Sequence, residues 1–173
     1  AGFVVNLDRS PQRWQKMQPL ISQLRLPVER FSAVDGRKLS PETIQKNVDL
    51  EAYIDTKGFS VALGAIGCTM SHLHLWQKFL ESDNEFALIM EDDIEFDPQA
   101  LQKIIDKLLL HPDWWDVVDF EMFLLTAMPL KVAQLTSQHD LVLYLSAATG
   151  TGAYLINRKA AIAFMAKALP IKM

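Results

Sequence analysis

At 173 residues, with half of them hydrophobic and 22% charged, the sequence suits one soluble domain with a sizeable core. The formal net charge of −4 excludes a nucleic-acid surface built on excess positive charge, and no basic stripe overrides that sum. The lone cysteine, Cys68, has no internal disulfide partner, which points to a reducing compartment. No apolar run approaches the length of a membrane span, and no signal peptide precedes the first strand. The chain opens on Ala1 and stops on Ile171-Lys172-Met173, so a single domain over 1–173, cut short at its carboxyl end, is expected.

In chain order, Phe3 to Leu7 reads as a short buried strand with Asn6, Asp8 and Arg9 at its end. Ser10-Pro11 starts a helix, with Ser10 as N-cap and Pro11 at the first helical position. Trp14, Met17, Leu20, Ile21 and Leu24 form its apolar stripe, and Pro19 should kink or interrupt it. Val28 to Val34 is a second strand followed by the turn pair Asp35-Gly36. Strand, helix and strand within about thirty residues predict a βαβ unit with parallel pairing. Ser40 to Ser60 reads as an excursion from the sheet, opened by a short helix at Ser40-Pro41.

Gly64 and Gly67 precede a helix whose apolar face is Met70, Leu73, Trp76, Phe79 and Leu80. Glycines before a helix N-terminus let a backbone approach a phosphate, although they also serve turns and close packing. The spacing lacks the dinucleotide fingerprint and the P-loop lysine. Phe86 to Met90 is an apolar run without a polar face, expected as a strand buried on both sides, and it ends in Glu91-Asp92-Asp93. Asp97-Pro98 opens a further helix with Leu101, Ile104, Ile105, Leu108 and Leu109 on one face. Trp115 to Phe120, Leu141 to Ser146 and Gly152 to Asn157 are further strands. Asn157 caps a last helix running to Leu169 before Pro170. The alternation is α/β, with no repeat or linker dividing it.

The three acids concentrate the chemistry. In an open α/β sheet ligands gather beyond the carboxyl ends of strands, and hard oxygen ligands suit Mg²⁺ or Mn²⁺. The alternative is a solvated acidic turn that caps the next helix. An EF-hand fails, because the sixth position from Asp93 is Pro98 instead of Gly. Phosphatase and receiver-domain patterns need their acids after the first strand, where Asn6-Leu7-Asp8 stands. Zinc is disfavoured, since Cys68, His72 and His74 follow no recognised ligand pattern and no HExxH occurs. His72 and His74 cannot share a helix face, and His72, near the glycines, is the site candidate of the two. Metal-bound acids at a sheet edge fit a nucleotide-diphosphate ligand. Arg9 and Arg13 could add cationic contacts there, and for Arg13 a solvated helix face is the alternative.

VVNLDRSPQRW, FSAVDG, GAIGCTMSHLHLWQ, ALIMEDDIEF and GTGAYLINRKAA occur in the order found in glycosyltransferase family 25, which the chain resembles from Phe3 to about Leu169. The family comprises bacterial lipo-oligosaccharide galactosyltransferases and related collagen galactosyltransferases. The resemblance implies a GT-A-like, Rossmann-like fold: a mostly parallel sheet flanked by helices. It also implies a UDP-sugar donor, usually UDP-galactose, and inversion at the anomeric carbon. Glu91-Asp92-Asp93 matches the acidic metal and donor site, with Asp93 and Glu91 as ligands of Mn²⁺ or Mg²⁺ and Asp92 on the donor. Asn6, Asp8, Arg9, Asp35 and Gly36 match positions that line the nucleotide pocket. Gly67, Ser71 and His72 match a helix block near the donor.

Gly150, Thr151, Gly152, Ala153 and Tyr154 match a block near the sugar or acceptor, a tight turn into a core strand being the alternative. Two positions depart from the family pattern. After Trp115-Asp116-Val117-Val118 the chain runs into Asp119-Phe120-Glu121 instead of a Leu-Gly pair, and it ends before a further acidic segment. The general base that an inverting transferase requires is therefore unassigned, with Asp119 and Glu121 as candidates. The implied partners are a UDP-sugar and a saccharide or lipid-linked oligosaccharide acceptor in lipopolysaccharide assembly. That setting implies a cytoplasmic protein touching the inner face of the cytoplasmic membrane, which its net negative charge does not itself favour. A non-catalytic domain that keeps the nucleotide pocket is the rival reading.

Overall fold

Strand β1 (Gly2–Asn6) leads through helix α1 (Pro11–Ile21) to strand β2 (Val28–Ser32), and the two strands pair in parallel. This computed structural model describes residues 1–57, 62–120, 129–145 and 150–172. After β2 come α2 (Pro41–Asn47), α3 (Leu50–Lys57) and the long α4 (Leu63–Leu80), which returns the chain to strand β3 (Phe86–Glu91). Helix α5 (Pro98–Leu109) and strand β4 (Val117–Asp119) follow. Next are strands β5 (Leu130–Gln134) and β6 (Asp140–Leu143), then β7 (Ala153–Asn157) and α6 (Arg158–Met165).

The main sheet has the order β2-β1-β3-β7-β4, while β5 and β6 form a separate antiparallel pair. β3 pairs in parallel with β1, and β7 runs antiparallel to β3 and to β4. Four of the five strands thus share one direction, as the mostly parallel α/β reading requires. The chain leaves β1 toward β2 and comes back on its other side at β3. Such a reversal of strand order is where doubly wound sheets open a crevice beyond their carboxyl ends.

Alternation along the strands sorts the side chains onto two faces. Val4, Leu88, Met90 and Leu155 pack with Met17 and Ile21 of α1 and with Leu101, Ile105 and Leu108 of α5. Phe3, Val5, Ala87, Ile89 and Ile156 pack with Leu75 and Phe79 of α4 and with Ala160 and Ala161 of α6. Helices therefore cover both faces, and β3 is apolar from Phe86 to Met90 because that stretch has no solvent side. Among the described residues, no helix is long and apolar enough to cross a membrane.

Several local expectations need correction. α1 continues through Pro19 to Ile21, since a proline in the last turn removes only one ladder bond. Ser10 occupies the N-cap position without a side-chain cap bond, and its carbonyl instead receives the Asn6 amide. Gly64 and Gly67 lie inside α4, not before it. α6 ends at Met165, short of Leu169, and β5 was not anticipated. The caps at Ser40, Asp97 and Asn157 form as the sequence suggests, each side-chain oxygen accepting from a backbone N–H in the first turn.

Candidate functional site

The carboxyl ends of β1, β2, β3 and β4 and the amino end of β7 meet at one edge of the sheet. At this edge the strand period divides the acidic triplet. Glu91 continues the face of Ala87 and Ile89 toward α4, whereas Asp92 continues that of Leu88 and Met90 toward α1. The three carboxylates accordingly meet different partners.

On the α1 side, Asn6 is fully buried and spends its amide on Asp92 Oδ2 (2.5 Å) and on the Ser10 carbonyl (2.9 Å). The Arg13 guanidinium donates from Nη1 to both Asp92 Oδ1 (3.1 Å) and Asp93 Oδ2 (3.0 Å). Asp92 is mostly enclosed, while Asp93 and Arg13 are about half exposed. Arg30 extends the network by donating to Asn6 Oδ1 (2.6 Å) and to Asp8 Oδ1 (2.6 Å). Arg30 and the Ser32 hydroxyl hold the Asp8 carboxyl below its usual range. Arg13, Lys16, Asp92, Asp93 and Glu95 line a groove of about 610 Å³, a size usual for small-molecule sites. Two carboxylates gathered on one positive charge are a donor set that suits a hard divalent cation. Glu91, expected as a ligand beside Asp93, meets its described side-chain partners on the α4 side.

On the α4 side, Glu91 accepts from the Thr151 hydroxyl, and its Oε1 lies 3.8 Å from Cys68 Sγ and 3.8 Å from His72 Nε2. His72 is buried and its Nδ1 shares a 2.7 Å hydrogen bond with the Tyr154 hydroxyl, which also accepts from Trp76 Nε1. Burial opposes protonation of His72, yet Cys68 and Glu91 outweigh it and the ring is pushed up to about 9. The His72 ring in turn holds the Glu91 carboxyl below its usual range, against the effect of burial. Burial also raises the Tyr154 hydroxyl.

The remaining expected residues serve the frame. Ser71 Oγ accepts from the Val34 N–H and donates to the Gly67 carbonyl, which uses the hydroxyl in both roles. A Cβ on Gly67 would fall 2.6 Å from Gly36 N and Val34 O, and one on Gly36 would collide with the Leu63 carbonyl. Gly36, Gly67 and Ser71 thus weld the loop after β2 onto α4, and no dinucleotide-type phosphate loop results. That loop presents Asp35, which Arg9 engages. Burial works against its ionisation, but Arg9 and the Arg37 N–H keep its carboxyl below the usual range.

Gly150 has φ of 124°, a backbone L side chains rarely adopt, and its neighbour Thr151 donates to Glu91. The Gly152 carbonyl receives the Glu91 N–H, while Ala153 and Tyr154 are buried in β7. Asp119 pairs with Tyr154 at the end of β4, two strand spacings or about 9–10 Å from β3. Glu121 lies outside the described residues. Arg30 and Cys68 were not expected at the site. An arginine within a strand, and a C-x₃-H pair one helical turn apart, were the signals available for them.

A mostly parallel sheet flanked by helices is compatible with a Rossmann-like, GT-A-like α/β fold, and comparison with known proteins narrows it. The profile of Glycosyltransferase family 25 (LPS biosynthesis protein) matches residues 1–173, and the chain belongs to that family. A Drosophila pseudoobscura pseudoobscura protein called Glycosyltransferase 25 family member is 39% identical over 99 residues, covering 56% of this chain and 16% of the relative. Mouse Procollagen galactosyltransferase 2 is 31% identical over 121 residues, 65% of this chain and 19% of its own length. Mouse Inactive glycosyltransferase 25 family member 3 is 28% identical over 122 residues, 67% of this chain and 21% of its own. The chain therefore spans about a fifth or less of these relatives.

Proposed function

We propose that the chain binds a UDP-hexose, with galactose as the sugar, at the Asp92–Asp93 edge and transfers the hexose to a saccharide acceptor with inversion. The observation that carries this reading is the pairing of Asp92 and Asp93, just beyond the carboxyl end of β3, on the Arg13 guanidinium beside a groove between α1 and the segment after β3. A diphosphate needs positive charge, and here two carboxylates share one arginine, an excess of negative charge that a divalent cation would offset beyond the carboxyl end of a sheet strand. Asp92 and Asp93 would hold Mn²⁺ or Mg²⁺, which when bound supplies charge neutralisation for the departing diphosphate.

The protein's own groups do the remaining work. Asn6 fixes Asp92 by a hydrogen bond from its buried amide, so the acid is oriented before any ligand arrives. Arg13, freed from the acids, is within reach of a phosphate oxygen on the same groove. Transfer requires the acceptor hydroxyl oxygen to bond to the anomeric carbon as the bond to the diphosphate oxygen breaks. The hydroxyl proton must pass to a base, and Asp119 at the end of β4 is the described residue we assign to it.

We infer a lipid-linked saccharide acceptor of the lipopolysaccharide type, as the family description suggests, at the inner face of the cytoplasmic membrane. Purified protein is incubated with UDP-galactose, Mn²⁺ and a panel of lipopolysaccharide-core saccharides and collagen, and UDP release is followed. Release that needs a core saccharide supports the reading. Release with collagen alone would move the acceptor to the class named by the procollagen relative. Donor binding without release on any acceptor would favour a non-catalytic domain, which the inactive mouse relative makes the second reading.

A further inference from the structure

We propose that Cys68, His72 and Glu91 form a binding site for a thiophilic divalent cation of the zinc class, separate from the Asp92–Asp93 pair. Cys68 and His72 lie at i and i+4 on α4, one turn apart on one helix face, the spacing by which helices present paired ligands to a metal. β3 brings the third ligand. One donor atom each from Cys68, His72 and Glu91 lie within 4.8 Å of one another, with Glu91 Oε1 3.8 Å from both Sγ and Nε2. A tetrahedral ion with bonds of about 2.0–2.3 Å sets its ligand atoms roughly 3.3–3.7 Å apart, so closure needs only small side-chain shifts.

A second observation points to a ligand. The His72 side chain is only 4% exposed, and its Nε2, 3.8 Å from Glu91 Oε1, has no hydrogen-bond partner among the described residues. A buried ring nitrogen that faces a carboxylate at ion-pair distance but makes no hydrogen bond is incompletely satisfied, and a metal between the two would satisfy it. The other nitrogen is already held by Tyr154, itself anchored by Trp76, the outer contact that fixes a ligating imidazole. A mixed sulfur, nitrogen and oxygen set selects zinc-like ions over Mg²⁺ or Mn²⁺, which prefer oxygen alone. The Thr151 hydroxyl, 3.7 Å from Cys68 Sγ and bonded to Glu91, belongs to an exposed residue and so sets the cluster beside the surface.

The test uses Co²⁺ as a spectroscopic substitute for Zn²⁺. Chelator-treated protein titrated with Co²⁺ should develop a thiolate-to-cobalt absorption and tetrahedral ligand-field bands at one equivalent, and Zn²⁺ should bleach both. Cys68 is the chain's only cysteine, so any such thiolate band reports on it. Cys68→Ser should abolish the band. Glu91→Gln and His72→Gln should each weaken binding by at least about 100-fold, the upper end of what loss of an outer-contact partner alone costs. Glu91 is partly exposed, so its variant tests the site even if replacement of buried His72 unfolds the protein. Absence of the band in the wild type would overturn the proposal. So would a band that survives Glu91→Gln at unchanged affinity, because Cys68 would then bind Co²⁺ without this site. UDP-galactose binding is measured on the same samples, and it can fail or succeed independently of the cobalt result.

Discussion

Replacing Gly67 and Gly64 in turn by alanine should move stability in opposite directions, although the two lie one turn apart on α4. In a helix, alanine is favoured over glycine by up to about 1 kcal/mol. At Gly64 the added methyl meets nothing within 4 Å among the described residues, so the gain stands, reduced to a few tenths if the first turn frays. At Gly67 the methyl would sit 2.6 Å from Gly36 N, 2.6 Å from Val34 O and 3.0 Å from Gly36 Cα. All three are backbone atoms, so no rotamer change relieves them. Overpacking of this kind costs about 1–3 kcal/mol, and displacement of the loop also strains the Ser71 bond to Val34 N. Net, Gly67→Ala should lose about 1–3 kcal/mol, or roughly 2–10 °C in Tm for a chain of this size. Urea unfolding at constant m, read as the shift in midpoint, measures both variants. A Gly67→Ala protein as stable as wild type would refute the weld between α4 and the loop after β2.

Arg13→Gln removes the cation that Asp92 and Asp93 share, and Mn²⁺ alone, titrated by calorimetry, should bind several-fold more tightly. Weaker binding would show that Arg13 organises the acids instead of competing for them. The same variant should change stability by less than about 1 kcal/mol, because Arg13 is half exposed. Asn6→Asp sets a carboxylate where an amide now donates to Asp92, and should cost about 2–4 kcal/mol in chemical denaturation. An unchanged midpoint would contradict the buried network. In chelator-treated protein, His72 has a folded pKa of about 9 against an ordinary 6.5, so its contribution is full below pH 6.5 and is lost as pH rises through 9. The stability gap between wild type and His72→Gln should shrink across that window, and a gap that stays flat would exclude His72 as its source.

Elements with strong local periodicity were legible in the sequence. α5 declared itself through Leu101, Ile105 and Leu108, and β3 through an apolar run with no polar face. The acids at the end of β3 could be assigned to the sheet edge because that is where such strands deliver their next residues. What the sequence concealed depends on contacts distant along the chain. Arg30 reaches Asn6 across neighbouring strands, and Thr151 reaches Glu91 from sixty residues away. Gly67 resembled part of a phosphate loop because a glycine's sequence does not reveal whether a ligand or the Gly36 backbone fills the space beside it. The separation of Glu91 from Asp92 was available in the two-residue strand period, but only the packing of α1 and α4 gave each face its partners.

The most direct test of the donor site is a calorimetric titration of UDP-galactose into the protein, with Mn²⁺ and again with EDTA, alongside Asp93→Asn. The proposed site predicts binding that requires Mn²⁺ and is lost in the variant while the fold persists by circular dichroism. Binding that ignores both metal and substitution, or no binding in any condition, would contradict the assignment of Asp92 and Asp93 to the donor.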